Sequence, residues 1–315
     1  MQSIITTTPS AATLTASNRA ALPADLQSRF ISYVDARPQS VAAYGKGLKH
    51  LFQYLATEGI TEPRREDMLH FRDHLKADYA PATASLYLTA ARLFFQWTEQ
   101  EGFYPNIADH VKGATIDRAH RKGYFTSAAI KNIIGTADRD TASGKRDYAI
   151  ITLMTTGGLR CIEVARANIE DLATQGDSTV LFVQGKGKDE RTDYVKIPPQ
   201  TEKAIREYLA TRPDAKPTDP LFTCGGNRNA GGRLTTRSIS RICKEHFKAA
   251  GYNDRRLTAH SLRHTAATLA ILAGATLLET QEHLRHASPN TTMIYINETN
   301  RAANTSAGRI AGAIF

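Results

Sequence analysis

Two stretches near the end of this 315-residue chain decide how the rest is read: "HSLRHTAATLAILAG" at 260–274 and "HLRHASPNTTMIYI" at 283–296. Both contain Leu-Arg-His, first as residues 262–264 and again as residues 284–286. The first runs on through small and aliphatic residues without a proline, which predicts a helix. On that helix His260 and Arg263, three positions apart, point to the same side. The second copy places Tyr295 nine residues after His286. No repeat period runs along the chain, so the two copies are not units of a repeat array. Their meaning comes from their neighbours: His260 before one arginine, Tyr295 after the other histidine.

Upstream, "LTTRSISRICKEHFKAAG" (234–251) reads as a helix opened by a threonine cap. Its Arg237, Arg241, Lys244 and Lys248 follow i, i+4, i+7, i+11 spacing along one face. Such a stripe suits a DNA groove, and it equally suits a solvated face. "PQTEKAIREYLATR" (199–212) is a further helix. Before it, "STVLFVQG" (178–185) and "RTDYVKIP" (191–198) are β-branched, alternating runs joined by "KGKDE", which predicts a hairpin with Lys186 at its tip. "KRDYAIITLMTTGGLRCIEVARANIEDL" (145–172) reads as a helix, a Gly-Gly break, then a helix opening beside Arg160.

The first hundred residues are helical throughout. "DLQSRFISYV" places Leu26, Phe30 and Val34 at four-residue spacing. "SVAAYGKGLKHLFQYL" starts at Ser40 as an N-cap and lines Val41, Tyr44, Leu48, Leu51, Phe52 and Leu55 along one side. "REDMLHFRDHL" and "TASLYLTAARLFFQWT", the latter capped at Thr83, complete a four-helix set, with breaks at Gly59, Pro63 and Pro81. Helices of this length form a small bundle, with Phe94, Phe95 and Trp97 in its core. Residues 112–122 then lose hydrophobic periodicity. They are expected to be a linker, whose Lys112, Arg118, Arg121 and Lys122 either track a phosphate backbone or are simply solvated. The expected organisation is a mobile tail at 1–20, a helical domain at 21–111, the linker at 112–122 and a second domain at 123–315, ending in a tail at 297–315. The fold class is mainly α with a small β-sheet.

Net charge is +9. Residues 1–122 carry 14 basic against 12 acidic side chains, and the remainder 26 against 19. The excess on the second part favours a polyanionic partner. Cys161, Cys224 and Cys243 are too scattered for a disulfide framework or a structural zinc site, which fits reduced thiols in the cytoplasm. No apolar run reaches the ~18 residues that span a bilayer, and the Ser/Thr-rich start lacks the basic and apolar regions of a secretory signal. There is no G-x-x-x-x-G-K-[ST] loop and no G-x-S-x-G elbow, and "DRDTASGKRD" lacks calcium-loop spacing. Nucleotide hydrolysis and metal-dependent chemistry thus have no visible site.

What remains is an ordered set: "TGGLRCIEV", "GKGKDER", "AHSLRHTAATLA" and "HLRHASPNTTMIYI". Taken singly, each of its residues has an ordinary structural explanation. Together they strongly resemble the catalytic domain of the tyrosine recombinases, the family of phage and transposon integrases and Xer-type recombinases. The resemblance extends over about 25–310 and includes the helical core-binding domain, closed by "YPNIADHV". It implies that Arg160 and Arg263 are the active-site arginines, Lys186 the hairpin lysine, His260 and His286 the two histidines, and Tyr295 the nucleophile. Glu163 matches the family's frequent acidic residue, and His264 is read as structural. One departure stands out: the family usually has Leu-Gly-His where this chain has Leu284-Arg285-His286. The arginine there either crowds the backbone or adds a phosphate contact.

The chemistry calls for these residue types. A phosphodiester gains negative charge toward its pentacoordinate transition state, and two planar, permanently charged guanidinium groups can stabilise it without a metal. A tyrosine hydroxyl, with an ordinary pKa near ~10, needs help to ionise. His260 is assigned as general base, and Lys186 as the general acid that protonates the leaving 5′ oxygen. The resemblance implies a 3′-phosphotyrosyl link, no cofactor, and strand exchange between specific double-stranded DNA sites through a Holliday junction. The enzyme would serve mobile-element integration or DNA dimer resolution. It also implies homo-oligomers, a dimer per site and a tetramer in synapse. The apolar end of the chain (Ile310, Ala311, Ile314, Phe315) would dock on a neighbour, or fold back on its own domain. Two rivals are a type IB-like topoisomerase and a non-enzymatic DNA-binding regulator.

Overall fold

The computed structural model describes residues 21–23, 25–113, 123–185, 190–225, 230–302 and 305–314, with the backbone alone for 296–302. The expected tail at 1–20 lies outside the described residues. The chain divides into two compact units, Met1–Ala119 and His120–Phe315.

In the first unit, helices α1 (Leu26–Tyr33), α2 (Pro38–Thr57), α3 (Arg65–Asp78) and α4 (Pro81–Gln100) pack around one apolar core. Phe30, Leu48, Leu51, Met68, Phe71, Phe94 and Phe95 are fully buried in it. Each such side chain contributes roughly 2 kcal/mol by leaving water. Phe30 meets Phe94 edge-to-face, with ring centroids 5.8 Å apart. α2 and α4 begin earlier than their sequence suggests, with Arg37 and Ala80 at the N-caps instead of Ser40 and Thr83. The cause is proline at the first helical position. Pro38 and Pro81 lack an N–H where none is needed, and their fixed φ is already helical. Pro81 therefore opens a helix as well as ending the preceding one. After α4 the chain is tied back to the bundle: the Tyr104 hydroxyl donates to the Pro63 carbonyl at 2.8 Å, and Arg92 donates to the Val111 carbonyl.

The second unit is built on α6 (Ala142–Thr156), with α5 (Ser127–Gly135) before it and α7 (Cys161–Arg166) after it. α5 and α6 start at Thr126 and Thr141, whose hydroxyls accept from Ala129 N and Gly144 N. Next comes an antiparallel sheet, β1 (Leu172–Gln175), β2 (Ser178–Val183) and β3 (Asp193–Lys196), in the order β1-β2-β3. The β2–β3 pair is the expected hairpin, with Leu181 opposite Val195. β1 was not expected; four residues ending in Thr174 and Gln175 carry almost no hydrophobic pattern, and pairing with β2 makes them a strand. Helices α8 (Pro199–Leu209), α9 (Thr236–Ala249), α10 (Ala259–Leu272), α11 (Leu277–Leu284), α12 (Pro289–Ala302) and α13 (Ser306–Ile314) follow. α10 packs on α6, α9, α11 and α12, which brings the chain's last third against its middle. The architecture is the expected one, mainly helical with one small sheet.

Candidate active site

Arg160 is the N-cap of α7, extended at φ −81°, ψ 152°. Its backbone N–H donates to Glu163 Oε2 at 2.8 Å, and its guanidinium donates to Glu163 Oε1 at 2.8 Å. Glu163 is 1% exposed. Burial pushes its carboxyl up, but Arg285, the Arg160 N–H, and the Arg160 and Arg263 charges together hold it below the ordinary value. The Gly-Gly break before α7 serves the same site. Gly158 has φ 57°, and its carbonyl accepts from Arg263 Nη1 at 2.5 Å. A Cβ on Gly158 would lie 2.6 Å from Leu284 Cδ2. Gly158→Ala therefore combines left-handed backbone strain with a clash, about 2 kcal/mol. It is expected to lower the melting temperature of this unit by about 5 °C. An unchanged melt in calorimetry would refute this.

Arg263 lies on the first turns of α10 and is 1% exposed. Besides Gly158, it donates to the carbonyl of Leu284 at the end of α11. It thus ties the α6–α7 break to the α11–α12 corner. Burial, and then the neighbouring Arg160 charge, pull its pKa down to about 9. A buried guanidinium among like charges marks a site that an anion would stabilise.

The α11–α12 corner explains the departure at residue 285. α11 ends on Arg285 in the left-handed conformation, φ 54°, ψ 47°; its N–H and that of His286 bond the carbonyls of Glu282 and Gln281. Glycine is favoured at such a position, and any other residue costs roughly 1 kcal/mol. Here the arginine is tolerated, and its side chain turns inward. Nη1 donates to the His283 carbonyl at 2.8 Å and Nη2 to Glu163 Oε2 at 2.9 Å.

His286, next in the chain, is 9% exposed, with Nδ1 2.8 Å from the hydroxyl of the buried Thr292. Burial first, then Arg263, Arg160, Arg285 and His260, lower its pKa to about 4. The ring is therefore neutral at neutral pH. An unfolded histidine titrates near ~6.5, so between that pH and about 4 the unfolded chain binds a proton that the folded one does not. Stability rises with pH across this window, is fully present above it, and is lost as pH falls through it, by up to about 3 kcal/mol. The melting temperature is expected to be flat above pH ~7 and to fall between pH ~6.5 and ~4. His286→Gln should flatten part of that slope; a variant with the unaltered slope would contradict the assignment.

Tyr295 is 3% exposed on α12, and its ring lies parallel to that of His286 with centroids 6.4 Å apart. Its hydroxyl is 2.6 Å from Nδ1 of His264. His264, expected to be structural, is thus the ring on the hydroxyl of the expected nucleophile. His260, one turn earlier on α10, is exposed, and its ring meets that of His264 edge-to-face with centroids 4.5 Å apart. The i, i+4 relation of His260 and His264 was available in the sequence; the approach of α12 was not.

Lys186 lies outside the described residues, as do Arg118, Arg121, Lys122 and Phe315. Lys112 is exposed at the end of the first unit. On α9, Arg237, Arg241 and Lys248 are exposed, opposite the buried Ile239, Ile242, Cys243 and Phe247. Lys244 stands apart from them: half-buried, it donates to the carbonyls of Asp254 at 2.6 Å and Leu257 at 3.2 Å. Among the described residues no cluster of His, Cys, Asp and Glu is arranged to hold a metal, and no helix is long and apolar enough to cross a membrane.

A helical unit accompanies a second unit in which three arginines, a neutral histidine and a buried tyrosine meet. Guanidinium charges gathered in this way can stabilise an anion such as a phosphodiester. Residues 124–301 match the phage integrase family, and residues 29–102 match the N-terminal SAM-like domain of phage integrases. The chain is 30% identical over 268 residues to the tyrosine recombinase XerC of Thermodesulfovibrio yellowstonii, covering 81% of this chain and 84% of that protein. It is 30% identical over 271 residues to XerD of Caulobacter vibrioides, covering 82% and 86%. Its fold matches a XerH recombinase in a post-cleavage complex with a difH substrate, with TM-score 0.70 and 20% identity over 84% of this chain and 78% of that one. It also matches a lambda integrase tetramer bound to a Holliday junction, with TM-score 0.67 and 16% identity over 86% and 75%. The chain belongs to the phage integrase family. It is a site-specific tyrosine recombinase, an enzyme that cleaves and rejoins DNA by transesterification.

Proposed function

We propose that this recombinase cuts DNA with Tyr295 and exchanges strands between two specific duplex sites through a Holliday junction. The observation that carries the assignment is the meeting of Arg160, Arg263, His286 and Tyr295 in one site. Arg160 and Arg263 hold the non-bridging oxygens of the scissile phosphate and take up the charge that develops on them. In this mechanism the Thr292 hydroxyl, 2.8 Å from His286 Nδ1, is the donor of that pair, so that Nε2–H of the neutral ring donates to the same phosphate. The Tyr295 oxygen attacks phosphorus, and the bond to the 5′ oxygen breaks. His260 takes the tyrosine proton, and Lys186 protonates the leaving oxygen. His264 holds the hydroxyl until DNA is bound. Attack by another strand's 5′ hydroxyl reverses the step, so the ester keeps the bond energy and no cofactor is required.

In this reading the exposed Arg237, Arg241 and Lys248 contact the duplex, together with Lys112 and the rest of the linker. Recombinases work as a dimer on each site and a tetramer in synapse. α13 supports this, since Ile310 and Ile314 are exposed on it and suit docking on a neighbouring subunit. The lambda integrase of like fold has been captured as a tetramer on a Holliday junction, which supports the same assembly. The resemblance to XerC and XerD favours resolution of DNA dimers, with integration or excision of a mobile element as the other task, in the cytoplasm.

The test is to trap the enzyme on nicked genomic fragments, sequence the attached DNA and map the modified peptide. The expected result is one recurrent cleavage sequence, linked through its 3′ phosphate to the peptide containing Tyr295. Two copies of that sequence on a plasmid should then recombine. Scattered cleavage, or relaxation without recombinant product, would sink the reading.

A further inference from the structure

The geometry points to Arg285 as a third arginine of the phosphate site, one that contacts the scissile phosphate beside Arg160 and Arg263. This rests on the proposed function, since it names a further group acting on the same phosphate. Three observations carry it. First, Arg285 keeps a left-handed backbone, φ 54°, at a helix end where glycine is the unstrained choice. It is one of two non-glycine residues with positive φ among those described, the other being His110. Second, its side chain does not escape to solvent from this strained position. It is only 8% exposed and reaches Glu163 Oε2 at 2.9 Å, while Arg160 holds Oε1 of the same carboxylate at 2.8 Å. Arg285 and Arg160 therefore flank one buried anion. Arg263 is close enough to both for their charges to lower its pKa.

Third, the Arg285 guanidinium is incompletely used. Nη1 and Nη2 bond the His283 carbonyl and Glu163, but Nε is buried with no hydrogen-bond partner among the described residues. An orphaned charged donor is costly and calls for an acceptor. Three guanidinium groups around one carboxylate also leave an excess of two positive charges. An incoming phosphodiester supplies one negative charge, and more in the transition state, to offset that excess. Its neighbour in sequence, His286, feels the charges of Arg263, Arg160 and Arg285 together.

The experiment compares wild type with Arg285→Gly and Arg285→Gln on nicked duplexes carrying the enzyme's cleavage sequence. The scissile linkage is either an ordinary phosphate or a neutral methylphosphonate. Glycine suits the backbone, so Arg285→Gly is expected to fold, as checked by its melt; Arg285→Gln controls for the change of backbone. Loss of one charge-stabilising donor should slow cleavage of the phosphate by about 100-fold in both variants. On the methylphosphonate, which has no anionic oxygen to neutralise, the same variants should come within about threefold of wild type. Wild-type rates on the phosphate would overturn the inference. So would an equal loss on both substrates, which would make Arg285 a positioning residue acting through Glu163. If wild type itself leaves no DNA on Tyr295, the proposed function fails rather than this inference.

Discussion

Tyr295→Phe is expected to give a folded protein that binds duplex DNA but forms no covalent adduct, with cleavage reduced by at least about 10⁴-fold. The ring of Tyr295 is buried among Ala266, Ala267 and Leu284, and phenylalanine fills that space without a new cavity. The structural loss includes the hydrogen bond to His264 Nδ1, about 1 kcal/mol. The melting temperature should therefore stay within a few degrees of wild type. In the proposed mechanism the chemical loss is that of the attacking oxygen itself, which phenylalanine does not supply. Denaturing electrophoresis on a nicked substrate reads the adduct directly. A Tyr295→Phe protein that still retains DNA would show that another residue is the nucleophile.

The second large effect falls on Arg263, where stability and chemistry meet in one side chain. Arg263→Ala opens a cavity at a position 1% exposed and leaves the Gly158 and Leu284 carbonyls without their donor. Relief of repulsion with Arg160 and Arg285 works in the opposite direction. The unmade hydrogen bonds and the cavity outweigh it, since breaking a buried charged network costs about 3–5 kcal/mol. The melting temperature of this unit should drop by about 10 °C, and cleavage by more than about 10³-fold. Arg263→Lys separates the two losses. The ammonium keeps the charge but cannot span two carbonyls and a phosphate as a planar fork does. It should recover part of the melt and little of the rate. A lysine variant with the wild-type rate would show that charge alone suffices at this position.

Much of this site was legible in the chain. His260 and Arg263 share a helix side by spacing, the Gly-Gly break puts Arg160 at a helix start, and Tyr295 follows His286 at a fixed step. Helix faces were legible for the same reason: burial of α2, α4 and α9 follows the 3.6-residue period of their apolar positions. Other features were not local properties. Pro81 reads as a break in a window of sequence, yet it serves as a first helical residue, as Pro38 does. Lys244 has the spacing of an exposed stripe, but the turn at 254–257 approaches α9 and takes its ammonium. β1 exists because β2 pairs with it.

The two Leu-Arg-His copies show where the boundary falls. The resemblance implies that Arg263 and His286 belong to one phosphate site, and spacing along a helix gives the direction of each side chain on its own element. Direction alone does not say what a side chain meets. His264 follows Arg263 by one residue and points about 100° away from it around the helix, and α12 alone brings Tyr295 to its ring. Arg285 looks like a simple replacement of glycine until the corner after α11 gives it a left-handed backbone and turns it onto Glu163, more than a hundred residues earlier in the chain. Local periodicity can carry a reading of the first kind. The second kind depends on which distant segments pack together, and that is a property of the folded unit as a whole.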